Sequence, residues 1–173
     1  MGVQGDKIFI MELTIHSKKY GNHTVAFDEA DRPIIDSYTW SLFKPKDRNK
    51  FYAVTCVSKR IILMHRLLVK SDLQIDHIDG NGLNNQRNNL RPASNSQNAM
   101  NKGGGNGTSS GFKGVSWHKK AGKWLVQIIH NGIWINGGFF ESKIEAAERY
   151  NELAIEYHGE FAKLNEIPKT QPQ

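Results

Sequence analysis

A single cysteine, Cys56, stands in 173 residues. One thiol cannot close an internal disulfide, and it equally excludes a zinc ribbon of the four-cysteine kind. No stretch approaches the roughly 18 consecutive apolar residues of a membrane span. The N-terminus lacks the basic-then-apolar pattern of a secretory signal, so a cytoplasmic protein without membrane association is expected. Acidic residues are missing from Lys102 to Phe140, which holds five lysines, whereas the chain from Glu141 onward has seven acids against four bases. That segregation predicts one basic and one acidic face on the same small domain.

What is present suffices for folding. A hydrophobic share of 38% with 10% aromatics supports packed cores, and a formal charge of +6 points to a polyanionic partner. The run from Asn101 to Gly111 is almost wholly glycine and small polar residues. It cannot bury apolar surface and is expected to act as a flexible linker over 101–110. It divides the chain into a domain over 1–100 and another over 111–166, with a disordered tail over 167–173.

Before the linker, Lys7 to Ile15, His23 to Phe27, Lys50 to Val57 and Arg60 to Met64 alternate as strands do, which predicts a small antiparallel sheet. Asp28 to Trp40 reads as a short helix broken by Pro33, and Met64 to Val69 as a turn of helix. No periodicity begins before Lys7, so the first residues read as an extension. After the linker, Phe112 to Trp117, Lys123 to His130 and Ile133 to Phe140 predict three strands, with Asn131-Gly132 as the hairpin turn. Ser142 to Glu145 is a capping box, and Ile144, Ala147, Tyr150, Ala154 and Tyr157 follow at helical spacing until Gly159.

The stretch from Gln74 to Asn98 carries the most chemistry. Ile75 and Ile78 flank Asp76-His77, Asp79-Gly80-Asn81-Gly82 makes a turn, Asn89-Leu90-Arg91 resumes, and a helix begins near Ser94. The order is strand, loop, strand, helix. Cleaving a phosphodiester takes a base for the attacking water, a hard cation, and a group holding the base in one tautomer; this stretch offers candidates for all three. Neighbours on a regular strand point to opposite faces, so Asp76 and His77 can share a site only at a strand end or bulge. A calcium-loop reading of Asp76, Asp79 and Asn81 lacks the closing glutamate. His16, His23, His118, His130 and His158 have no partners in sequence and read as structural.

Asp76-His77, Asn89 and Asn98 together resemble the HNH nuclease motif in the form carried by phage and intron homing endonucleases, and His65-Arg66-Leu67 resembles a short motif that precedes it. The resemblance implies a ββα-metal core at about 63–100. It implies His77 as general base, Asp76 and Asn98 as ligands of one Mg²⁺ or Mn²⁺ ion, and Asn89 as the group orienting the His77 ring. His65, Arg66 and Arg91 are candidate phosphate contacts, with packing the preferred role for His65. Asn98 stands where many such enzymes have histidine.

Ser110 to Trp117, Gly122-Lys-Trp124, Glu145-Ala-Ala147, Tyr150 and Gly159 to Asn165 resemble the plant APETALA-type, ethylene-response-factor DNA-binding domain. This implies a three-stranded sheet in the DNA major groove with a helix on its back. Strand alternation turns Trp124, Val126, Ile128 and Ile135 toward the helix. It leaves Lys123, Leu125, Gln127, Ile129, Trp134 and Asn136 facing DNA, and Lys113, Ser116 and Lys119 match further contact positions. The plant domains carry arginines on this face that are missing here, so base specificity does not transfer.

The combined expectation is an α+β chain: a small N-terminal antiparallel sheet with the ββα motif, a linker, and a three-stranded antiparallel sheet packed on one helix. Its implied activity is metal-dependent nicking of double-stranded DNA at a preferred site, with no obligate protein partner, in the bacterial host cytoplasm if phage-encoded. The rival expectation is a non-catalytic, sequence-specific DNA-binding regulator with a degenerate HNH segment.

Overall fold

The computed structural model describes residues 9–46, 49–103 and 109–168. The expected N-terminal extension, the centre of the linker and most of the expected tail lie outside them. The chain divides into two compact units, Met1–Ser94 and Asn95–Gln173. The architecture is mixed, with small antiparallel sheets and few helices. No helix among the described residues is long and apolar enough to cross a membrane.

The first unit opens with a hairpin of β1 (Ile10–Ser17) and β2 (Gly21–Asp28), followed by a 3₁₀ turn (Glu29–Asp31) and a single helical turn, α1 (Arg32–Ile35). Pro33 does not break this helix. It sits in the first turn, where its missing N–H has no intrahelical partner to lose. A second sheet has the order β3 (Ser41–Phe43), β4 (Tyr52–Val57), β5 (Arg60–Leu63). Helix α2 (Met64–Leu68) then leads to the hairpin of β6 (Gln74–His77) and β7 (Leu90–Ala93). Val25, Phe27, Ile35, Met64, Leu68, Ile75 and Leu90 form one apolar core beneath these elements.

The long β6–β7 loop is fastened to β2. Ala26 N donates to Leu83 O at 3.0 Å, and Asn85 N donates to Ala26 O at 2.7 Å. Arg87 adds a two-pronged pair with the buried Asp31, Nη2 to Oδ1 at 2.6 Å and Nε to Oδ2 at 3.0 Å. Its backbone N–H also reaches Asp28 Oδ2 at 2.9 Å. The asparagine-rich loop is therefore a built element.

The second unit starts with α3 (Asn95–Asn101) and continues with β8 (Val115–His118), β9 (Lys123–His130) and β10 (Ile133–Phe140) in the order β10-β9-β8. Asn131 (φ 51°) and Gly132 (φ 79°) make the left-handed turn between β9 and β10. Helix α4 (Lys143–His158) begins with Ser142 Oγ accepting from Ile144 N at 3.2 Å and stops at Gly159. It packs Ala146, Ala147, Tyr150, Leu153 and Ala154 on Val115, Val126 and Ile128. Gly114 is confined by this packing: with φ at +71°, an added Cβ would lie 2.1 Å from the Tyr150 ring. Asn165 ties the unit closed, accepting from Lys113 N at 2.7 Å and donating to Lys113 O at 3.1 Å.

Candidate functional site

Strand β6 ends at His77, which answers the demand that Asp76 and His77 share a site only at a strand end. Both are buried, at 7% and 6% exposure. Across the hairpin Asp76 faces Arg91, whose Nη2 donates to Asp76 Oδ2 at 3.1 Å and whose Nε donates to the same oxygen at 3.3 Å. Arg91, expected as a phosphate contact, thus holds the Asp76 carboxylate.

The His77 ring lies in an aromatic nest. The buried His65 ring stands edge-on to it with centroids 4.8 Å apart, and the Tyr52 ring lies 6.0 Å from His77 and 6.1 Å from His65. Burial, reinforced by His77 and Arg66, pushes the His65 imidazole down to about 3, so it is neutral near pH 7. Its ring is packed against those of His77 and Tyr52. Burial also lowers His77, opposed by the side chain of Asn85 and the carboxylates of Asp79 and Asp76, while Lys50 lowers it further. Asn85 is fully buried, and its amide makes no hydrogen bond of standard geometry among the described residues, so its pull on His77 is a looser polar contact.

Asn89 does not orient the His77 ring. Its Nδ2 donates to Asp79 Oδ1 at 3.0 Å and to Asn84 O at 2.8 Å, and its Oδ1 accepts from Asp79 N at 3.0 Å. Loop closure uses both ends of the amide, and Asn85 is the asparagine that faces the ring. Arg66 is also committed internally, with Nη1 donating to Leu73 O at 2.6 Å and Ser71 O at 3.4 Å. The first unit therefore gathers Asp76, His77 and Asn89, with Asn85, Lys50 and Tyr52 as additions that sequence reasoning missed. Asn98 is carried by α3, within the second unit.

Register sorts the C-terminal sheet. Ile129 pairs with Trp134, Gln127 with Asn136 and Leu125 with Phe139 on the face away from α4. A bulge between Asn136 and Gly138 shifts the alternation and brings Phe139 onto that face. Trp134 is 64% exposed, and Ser116 and Lys119 are exposed as well. Three expected contacts have internal roles. Lys113 Nζ donates to the carbonyls of Met100 and Lys102, closing the end of α3, and burial lowers its ammonium to about 8. Lys123 pairs with Glu141 at 2.9 Å. Asn136 Oδ1 accepts from Gly138 N at 2.9 Å, bracing the bulge. A cleft of about 250 Å³ between α3 and the sheet is lined by Met100, Lys113, Gln127, Trp134 and His158 among others.

A family model described as HNH endonuclease matches residues 63–100, which hold α2, β6, β7 and most of α3. Over 173 aligned residues, 94% of this chain and 87% of the relative, the sequence is 34% identical to an uncharacterized HNH endonuclease of Acanthamoeba polyphaga mimivirus. The chain belongs to the HNH endonuclease family. This HNH chain is also 36% identical over 92 residues to Protein 3.8 of Escherichia phage T7, covering 52% of the chain and 74% of that protein. No solved structure matches it. As an HNH endonuclease it is a nuclease whose substrate is DNA, and enzymes of the family are generally dependent on a divalent metal.

Proposed function

We propose that this HNH endonuclease nicks double-stranded DNA at preferred sites in the manner of a homing endonuclease, with His77 as general base. The observation that carries the reading is a buried imidazole at the end of β6, lowered by burial and lying near the Asp76 and Asp79 carboxylates. Such a ring is unprotonated near neutrality and able to take a proton from water.

Asp76 would hold the cation through its carboxylate, a hard donor that fits Mg²⁺ or Mn²⁺ rather than a thiophilic metal, and Asn98 is a ligand only in what the HNH resemblance implies. When bound, the ion neutralises charge on the scissile phosphate and the leaving oxygen. Arg91 fixes the direction of the Asp76 carboxylate. His65 and Tyr52 wall the His77 ring, and the Asn89 bonds hold the loop that presents Asp79 and Asn85 to it.

The sheet of the second unit is read as a DNA anchor of APETALA type, with Ser116, Lys119, Leu125, Gln127, Ile129 and Trp134 toward the duplex. Such an anchor raises the effective concentration of the catalytic loop near its target. One catalytic centre per chain cuts one strand. Incubating the protein with phage-length duplex and Mg²⁺ is expected to give nicks at a few recurring positions, abolished by EDTA. Scattered cuts without recurring positions would remove the homing reading, and no cuts with retained DNA binding would favour a regulator.

A further inference from the structure

The outward face of the β8–β9–β10 sheet, read above as the DNA anchor, is mostly apolar. Two apolar pairs, Ile129 with Trp134 and Leu125 with Phe139, flank one amide pair, Gln127 with Asn136. Ile129 is 43% exposed, Trp134 64% and Phe139 44%. Adjacent exposed apolar side chains on a sheet face mark a surface that something covers.

Charge says what covers it. The strands and turns from Lys102 to Phe140 carry lysine and no acid, with Lys119 and Lys120 exposed at the β8–β9 turn, whereas the acids lie from Glu141 onward. A face with two exposed lysines at one turn and an acidic helix behind it suits a polyanion. The chemistry of the face then limits which base pairs it can match. Guanine is commonly read by an arginine fork on O6 and N7. The single arginine of the second unit, Arg149, lies on α4 and pairs with Glu152 at 2.7 Å. Lys123 is held by Glu141. What remains is apolar surface, which fits the thymine methyl group, and the Gln127 amide, which fits the N6 and N7 edge of adenine. The side chain of Gln127 makes no internal hydrogen bond among the described residues, whereas Asn136 keeps only its amide N–H₂ after bracing the bulge.

We infer that this sheet face selects A·T base pairs in the major groove, thymine through its C5-methyl on the Ile129/Trp134 and Leu125/Phe139 pairs and adenine through Gln127. The inference rests on the DNA-anchor reading of the second unit and adds the base class that the anchor recognises.

The test uses the full-length chain as His77→Ala, which is expected to hold DNA without cutting it. Bound duplexes are selected from a randomised pool, and the selected site is remade with deoxyuridine for thymidine, which deletes only the C5-methyl. The expected result is a recurring A·T run and affinity lowered roughly ten-fold by uracil. Trp134→Ala, at a position 64% exposed and checked for an unchanged melting temperature, is expected to lower affinity for the thymine duplex and to erase the difference between thymine and uracil. A selected site of G·C pairs, or equal binding of the two duplexes, overturns the inference while leaving the anchor in place. Failure to retain any duplex overturns the anchor itself, and the inference with it.

Discussion

The imidazoles of His65 and His77 meet edge to face, with ring centroids 4.8 Å apart and planes at 89°. Each depends on the other's neutrality, because two protonated rings at that distance in a buried site would repel. His65 is the ring whose value falls furthest, to about 3 against an ordinary 6.5. Between those values the unfolded chain binds a proton that the folded chain does not, so stability is complete above pH 6.5 and is lost as pH falls toward 3. By pH 5 the loss from this residue is about 2 kcal/mol. Urea unfolding at pH 7 and pH 5 should show that loss in the wild type and little of it in His65→Phe. Equal losses in both would assign the acid sensitivity elsewhere.

The Asp76–Arg91 pair is buried on both sides, with side-chain exposures of 8% and 11%. Removing the cation leaves a buried carboxylate without this partner. Arg91→Met should cost about 3 kcal/mol in denaturant unfolding, and the double variant Asp76→Asn, Arg91→Met should recover most of it. A single variant as stable as wild type would show that Asp76 does not need the pair.

Asn89 bonds to Asp79 and Asn84 and not to the His77 ring. Asn89→Ala should therefore destabilise the first unit by about 1–3 kcal/mol through orphaned loop groups. The nitrogen-15 signals of the His77 ring should keep their wild-type tautomer pattern. A change of tautomer without loss of stability would restore the orienting role expected from the motif.

Lys113 caps α3 through the Met100 and Lys102 carbonyls. Lys113→Met should lower the melting temperature and leave the salt dependence of DNA binding unchanged. Lys119→Met should reduce the slope of log affinity against log salt by about 1 with no effect on melting. The reverse pattern would return Lys113 to the phosphate contacts.

Much of this arrangement is legible in the residues. Asn131-Gly132 could only be a tight left-handed turn, and Ser142 with Glu145 marks the start of α4, so the second unit follows from local signals. The β4–β5 turn is not legible in that way: Ser58 (φ 47°) and Lys59 (φ 64°) take left-handed conformations without glycine or asparagine, held by the pairing of the strands they join. Strand β3 is three residues long and has no periodicity to read. Within the site, Asp76, His77 and Asn89 were visible as a spaced motif, yet the asparagine facing the ring was not. Asn84, Asn85, Asn88 and Asn89 are chemically identical in sequence, and only the docking of Asn85 on Ala26 decides which one points inward. The partners of Arg91 and Lys113 likewise depend on register and tertiary contact, so both read from sequence as available cations. The bulge after Asn136 had no sequence signal beyond two glycines, and it changes which aromatic meets the outward face.

The central claim is that one imidazole at the end of β6 activates water for strand cleavage. The most direct measurement is single-turnover nicking of duplex DNA by wild type and His77→Ala with Mg²⁺, each checked for equal DNA binding and equal melting temperature. The account predicts a rate lowered by roughly 10²-fold or more in the variant, with binding intact. A folded, DNA-bound His77→Ala protein that nicks at the wild-type rate would contradict it.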